Sequence, residues 1–139
     1  TPDGLENVLR SVRGFARGRT VVVFGCGGDR DPIKRPIMGD IACRLADFVV
    51  VTSDNPRTEE PGRIIEDILV GMQDTTTPYV VIENRRVAIR WAMTHAEPDD
   101  IIVLAGKGHE TYQIIGKTKT HLDEREEVAA CLATLAAKE

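Results

Sequence analysis

Cysteine is scarce in this chain, positive charge is outnumbered, and no long apolar run is present; each shortage removes a class of function. The three cysteines, Cys26, Cys43 and Cys131, are odd in number, widely spaced and never in a C-x-x-C pair. That spacing argues against a disulfide framework and against a zinc site, and it favours a reducing compartment. Eighteen basic residues face 22 acidic ones, for a net charge of −4, which removes the usual electrostatic case for nucleic acid or an acidic membrane. No signal peptide is recognisable and no apolar stretch approaches the length that crosses a bilayer. A soluble, cytoplasmic protein acting on small molecules is expected.

The 139 residues suit one domain with a real core, and are too few for a nucleotide-driven enzyme together with its substrate domains. The chain opens at Thr1-Pro2-Asp3 without an initiator methionine, so a domain excised from a longer protein is the expectation. Internal repeats and low-complexity segments are absent, and Gln73 to Pro78, with three successive threonines, reads as a loop.

Three apolar segments read as buried parallel strands: Thr20 to Gly25, Phe48 to Thr52 and Ile101 to Ala105. They are near-continuous rather than alternating, the pattern of a sheet covered on both faces. Tyr79 to Ile82 is a weaker fourth. Helical spacing recurs between them, in Leu5, Val8, Leu9, Val12, Phe15 and Ala16, in Ile37, Ile41 and Leu45, in Ile64, Ile65, Ile68, Leu69 and Met72, and in Ala88, Ile89, Ala92 and Ala96. Asp3 and Glu6 are spaced as a capping box for the first helix, and a last helix is expected from near Asp123, burying Val128, Cys131, Leu132 and Leu135. Before it, Thr111 to Ile115 and Lys119 to Leu122 flank Gly116 as a hairpin at a sheet edge. The order specifies an α/β fold: an open, mostly parallel, Rossmann-like sheet with helices on both faces, right-handed crossovers and an antiparallel edge hairpin.

Ligands of open α/β sheets bind outside the carboxyl ends of the strands, and three polar clusters fall there. The first, Gly25 to Pro36, joins glycines that allow close backbone approach to the cations Arg30, Lys34 and Arg35 near a helix start. It is no dinucleotide fingerprint, because Arg30 stands at the third glycine position and Asp29 and Asp31 would repel a pyrophosphate; nor does a Gly-Lys-Ser/Thr close it as a P-loop. The second is Asp54-Asn55-Pro56-Arg57, followed by Thr58-Glu59-Glu60-Pro61. Asp, Asn and Pro are ordinary turn formers, yet the turn needs no arginine. Arg57 beside acidic and carbonyl acceptors could bind a zwitterion. The third, Gly106-Lys107-Gly108-His109-Glu110-Thr111-Tyr112, offers a free backbone and a carboxylate for an ammonium. His109 is either a general base or a hydrogen-bonding support. His95, His121 and Trp91 read as structural.

Taken together, Gly-Gly-Asp-Arg-Asp with Lys-Arg-Pro following, Asp-Asn-Pro-Arg and Gly-Lys-Gly-His-Glu, in this order, closely resemble the C-terminal domain of a Mur ligase, over nearly the whole chain. The Asp-Asn-Pro-Arg motif resembles that of family members which add meso-diaminopimelate; lysine-adding relatives lack the arginine. The resemblance implies an amino-acid site of Arg30, Asp54, Asn55, Pro56, Arg57, Gly106 and Glu110, with Pro56 shaping the turn and no covalent catalytic residue. It implies Asp29 facing ATP across an interdomain cleft, and ATP, Mg2+ and UDP-MurNAc-L-Ala-D-Glu held by two preceding domains whose motifs are not in this sequence. This domain alone would then be inactive. Two other readings stay open on the residues: a stand-alone Rossmann-like module that senses a small zwitterion, and a nicotinamide-dependent oxidoreductase in which Gly25, Gly27 and Asp54 imitate the cofactor turn.

Overall fold

A computed structural model describes residues 1–106, 112–115 and 117–137. Helix α1 (Pro2–Arg13) leads into strand β1 (Thr20–Phe24), then α2 (Lys34–Leu45), β2 (Phe48–Val51), α3 (Pro61–Val70), β3 (Tyr79–Val81), α4 (Arg85–Thr94), β4 (Ile101–Leu104), β5 (Tyr112–Ile115), β6 (Thr118–His121) and α5 (Glu124–Ala137). The first four strands form one wholly parallel sheet in the order β3-β2-β1-β4, with Val22 opposite both Val49 and Val103. The expected hairpin of β5 and β6 forms in antiparallel register, Tyr112 against His121, as its own two-stranded sheet rather than on an edge of the main one.

Strand alternation divides the core into two layers. Val22, Phe24, Val49 and Val51 face α1, α2 and α3, where Leu9, Met38, Ile41, Ile64 and Ile68 fill the space; Val21, Val23 and Val50 face Ala88 and Ala92 of α4 on the other side. Both faces of the two central strands are therefore covered, which is why their sequences do not alternate. The marginal strands differ: β4 is half-buried throughout, and Tyr79 and Val81 of β3 are exposed.

Several expectations need correction. The cap of α1 is Thr1, whose hydroxyl accepts from the Gly4 N–H at 3.1 Å with Pro2 in the first turn, so Asp3 lies inside the helix rather than starting a capping box. Phe15 is 68% exposed because the helix has already stopped at Arg13, ahead of Gly14. Ile37 is exposed because α2 turns Met38, Gly39, Ile41, Ala42 and Leu45 toward its neighbours α1 and α3 and the sheet, leaving Ile37 on the outer face. On α5, Cys131 is buried but Leu132 is exposed.

The sheet grows outward from β1 through β2 to β3, then returns to place β4 on the other side of β1. This reversal separates the connections that leave the carboxyl ends of β1 and β4, and opens a crevice there.

Candidate functional site

The crevice is a cleft of about 210 Å³ whose lining includes Gly25, Cys26, Gly27 and Arg30 after β1, Asp54 after β2, Gly106 after β4, and Lys34 of α2. Gly106 has φ +100°, a conformation open to glycine at little cost, and so turns the chain at the end of β4. Cys26 also lines the cleft, but burial pushes its thiol up to about 12, and its Sγ lies 3.6 Å from the Met38 sulfur. It is a neutral wall group and no nucleophile at neutral pH.

Two loops, 25–33 and 52–60, are locked together. The Gly28 N–H donates to the Asn55 carbonyl at 2.8 Å, and Arg57 Nη1 donates back to the Gly28 carbonyl at 2.9 Å and to that of Asn55 at 3.4 Å. A β-carbon on Gly28 would sit 1.8 Å from the Pro56 carbonyl oxygen, so only glycine permits this approach. Arg57 adopts φ +52°, the left-handed region that a side-chain-bearing residue enters at a cost of about 1 kcal/mol. Its guanidinium bonds offset that cost, and among the described residues it has no carboxylate partner. Asn55 is 2% exposed and Pro56 is buried, so they form the foundation of the turn, with Asp54 at its rim.

A second tie runs through Arg35, 2% exposed at the start of α2. Its Nη1 donates to Glu59 and Asp67, and its Nη2 to Glu59 and to the Gly27 carbonyl, all between 2.9 and 3.1 Å. Glu59 in turn accepts from the Asp29 N–H at 2.8 Å. The Arg35 hydrogen bonds, then that of Asp29, hold the Glu59 carboxyl below its ordinary value of 4.5. Because the folded-state value is depressed, its stabilisation is present above pH 4.5 and lost as pH falls through the lower folded value. Replacing Glu59 with Gln should therefore cost stability at neutral pH and progressively less in acid. Urea denaturation of both proteins between about pH 7 and pH 3 checks this; a stability gap that stays constant across that range contradicts it.

Residues 1–108 match the sequence profile of the family described as "Mur ligase, glutamate ligase domain". This chain belongs to the Mur ligase family. It is 55% identical over 133 residues to the UDP-N-acetylmuramoyl-L-alanyl-D-glutamate--2,6-diaminopimelate ligase of Caldanaerobacter subterraneus subsp. tengcongensis, which covers 96% of this chain and 28% of that protein. The ligase of the same name from Trichormus variabilis is 58% identical over 132 residues, 95% of this chain and 26% of its own length. A solved structure of a UDP-N-acetylmuramoyl-L-alanyl-D-glutamate--2,6-diaminopimelate ligase superposes with a TM-score of 0.91 at 40% identity, over 98% of this chain and 28% of that one. The chain spans little more than a quarter of the length of the relatives it matches.

In this Mur ligase chain, Arg30, Asp54 and Gly106 meet in one cleft, with Asn55, Pro56 and Arg57 packed beside it. Glu110 and His109 lie outside the described residues. Asp29 does not line the cleft: its carboxylate accepts from the Thr58 hydroxyl at 2.6 Å and the Thr58 N–H at 3.4 Å, as a latch between the two loops. Of the three cations expected near α2, Arg35 is committed to Glu59 and Asp67, whereas Arg30 donates only to the neighbouring Asp29 carbonyl among the described residues and stays exposed. His95 Nδ1 donates to the Trp91 carbonyl, with the two rings stacked at 4.2 Å, and His121 pairs with Glu126; both are structural, as is Trp91.

Sequence reasoning missed Gln113 and Arg85. Gln113 Nε2 donates to the Ser53 hydroxyl and the Asp54 carbonyl, at 2.9 and 2.6 Å, and so ties the hairpin to the turn. A buried position for a polar residue at alternate spacing in β5 was the available signal, and it points to no partner.

Proposed function

We propose that this chain is the amino-acid-presenting domain of an ATP-dependent ligase that adds meso-diaminopimelate to UDP-MurNAc-L-Ala-D-Glu in the cytoplasm, during synthesis of peptidoglycan precursors. The observation that carries the reading is the convergence of Arg30, Asp54 and Gly106 on one cleft, with the Arg57 guanidinium held against its glycine wall. A zwitterion with two carboxylates and two ammonium groups matches such a mixture of fixed cations and acidic acceptors.

In the proposed reaction, ATP would phosphorylate the D-glutamyl γ-carboxylate and leave as ADP; the neutral diaminopimelate amine would then attack the acyl carbon, phosphate would leave, and the nitrogen would lose a proton to give the amide. The chain's own contribution is orientation, which converts an encounter into an aligned attack. Arg57 would take the distal carboxylate, Asp54 and Glu110 the distal ammonium, while Arg30 places the amino acid. ATP and Mg2+ belong to the remainder of the enzyme. A contact of Asp29 with ATP across an interdomain cleft remains part of this proposal: Asp29 is exposed, and a carboxylate that accepts from Thr58 retains lone pairs for a second partner.

Phosphate release by the full-length enzyme, with the UDP-dipeptide and ATP present, should depend on meso-diaminopimelate and be weak with L-lysine. Equal use of the two amino acids by the wild type would sink the assignment.

A further inference from the structure

Arg85, the first residue of α4, is only 1% exposed and is the largest fully buried side chain among the described residues. Its three donors diverge. Nη1 donates to the Ser53 carbonyl at 3.0 Å, Nη2 to the Ala105 carbonyl at 2.9 Å, and Nε to the Glu124 carboxylate at 2.8 Å. Ser53 immediately precedes the Asp54–Arg57 turn, and Ala105 immediately precedes Gly106. Strands β2 and β4 are not neighbours, since β1 lies between them. One guanidinium therefore reaches across the end of β1 and binds the chain just beyond its two flanking strands, β2 and β4, from which opposite walls of the cleft begin.

We propose that Arg85 is a positioning residue that sets the spacing between those walls, with Glu124 of α5 fixing the orientation of its fork; this rests on reading the cleft as the acceptor site. A guanidinium is planar, so its three donor directions are fixed relative to one another. Lysine, a point charge on a flexible stem, cannot hold two carbonyls and a carboxylate in that geometry. Arg85 touches no substrate in this account. It acts through the backbone of Ser53 and Ala105, and its loss shifts the acceptor while leaving the ATP and UDP-dipeptide sites in place.

The test uses the full-length enzyme as wild type, Arg85→Lys and Glu124→Gln, with KM measured separately for the amino acid, ATP and the UDP-dipeptide. Arg85→Lys should raise the amino-acid KM about 10- to 100-fold, as expected for misplacement near 1 Å, while the other two change by less than about threefold. Glu124→Gln should show the same selective rise, smaller in size. A uniform rise in all three KM values, or a loss of kcat alone, would mean that Arg85 merely stabilises the fold and would overturn the proposal. If Arg85→Lys does not fold, Glu124→Gln decides by the same criterion. A wild type indifferent to meso-diaminopimelate would defeat the functional reading instead; the comparison is then made with whichever amino acid it accepts, and with amide hydrogen exchange. Exchange should quicken at Asp54, Asn55 and Gly106 in the variants but not at Val21 to Val23; quickening throughout the sheet would again overturn it.

Discussion

Arg57→Ala in the full-length enzyme is expected to lose about 10³-fold in kcat/KM for meso-diaminopimelate, while turnover of L-lysine rises, because the cation left unpaired beside lysine is gone. Such a ratio corresponds to about 4 kcal/mol of lost transition-state binding. The argument rests on an asymmetry of charge. In the proposed site, meso-diaminopimelate would let the guanidinium exchange water for a carboxylate in a charge-assisted and bidentate contact. Lysine would desolvate the cation and give nothing in return, and that penalty would be the source of selectivity. The left-handed backbone at Arg57 and its Nη1 bond to the Gly28 carbonyl hold the fork in advance of binding, so little ordering cost remains. The same bond means that alanine also removes a tie between the two loops. Arg57→Lys controls for this, keeping the charge without the fork, and should recover only part of the loss. If both amino acids fall together in Arg57→Ala, the turn has collapsed and the carboxylate contact is not what Arg57 supplies.

The second large effect is expected from the smallest substitution. Gly28→Ala places a carbon 1.8 Å from the Pro56 carbonyl oxygen, which is backbone and cannot rotate aside. The loops must part by more than an ångström, breaking the 2.8 Å bond from the Gly28 N–H to Asn55 and the 2.9 Å bond from Arg57 to the Gly28 carbonyl. Overpacking of this kind costs about 3 kcal/mol or more. Urea denaturation should report that loss, and the enzyme should lose amino-acid-dependent turnover even at temperatures where it remains folded. A variant with wild-type midpoint and wild-type KM would show that the two loops need no such close approach. Gly62, where an added carbon meets nothing within 4 Å, is the matching control and should tolerate alanine.

Much of the architecture was legible because burial on both sheet faces leaves continuous apolar strands, and helices that cover a sheet carry apolar residues at helical spacing. Val22, Val23, Val49 and Val50 are all fully buried, as their pattern implied. The candidate site was legible in part for a different reason. Polar residues that follow a buried strand must emerge at its carboxyl end, so Arg30 and Asp54 could be placed on one edge before any contact was known. Legibility failed where a residue's role depends on its partner. Arg35 reads like Arg30, a cation close to a helix start, yet one is buried against Glu59 and Asp67 and the other is exposed. Asp29 reads only as an acid that would repel a pyrophosphate, and nothing in the sequence pairs it with Thr58, whose hydroxyl donates to it.

The sequence by itself determined the parallel sheet, the two covering layers of helix and the strand ends at which the candidate site lies, because these follow from periodicity and from turn chemistry along the chain. Only the tertiary structure decided which of the charged residues were structural. Arg85 shows the reason: its partners are the carbonyls of Ser53 and Ala105 and the carboxylate of Glu124, 32, 20 and 39 residues away. Backbone carbonyls carry no residue identity, so a bond to one leaves no trace in the sequence. The distance between the two walls of the cleft is fixed by such bonds, and it exists only once β2 and β4 lie on either side of β1.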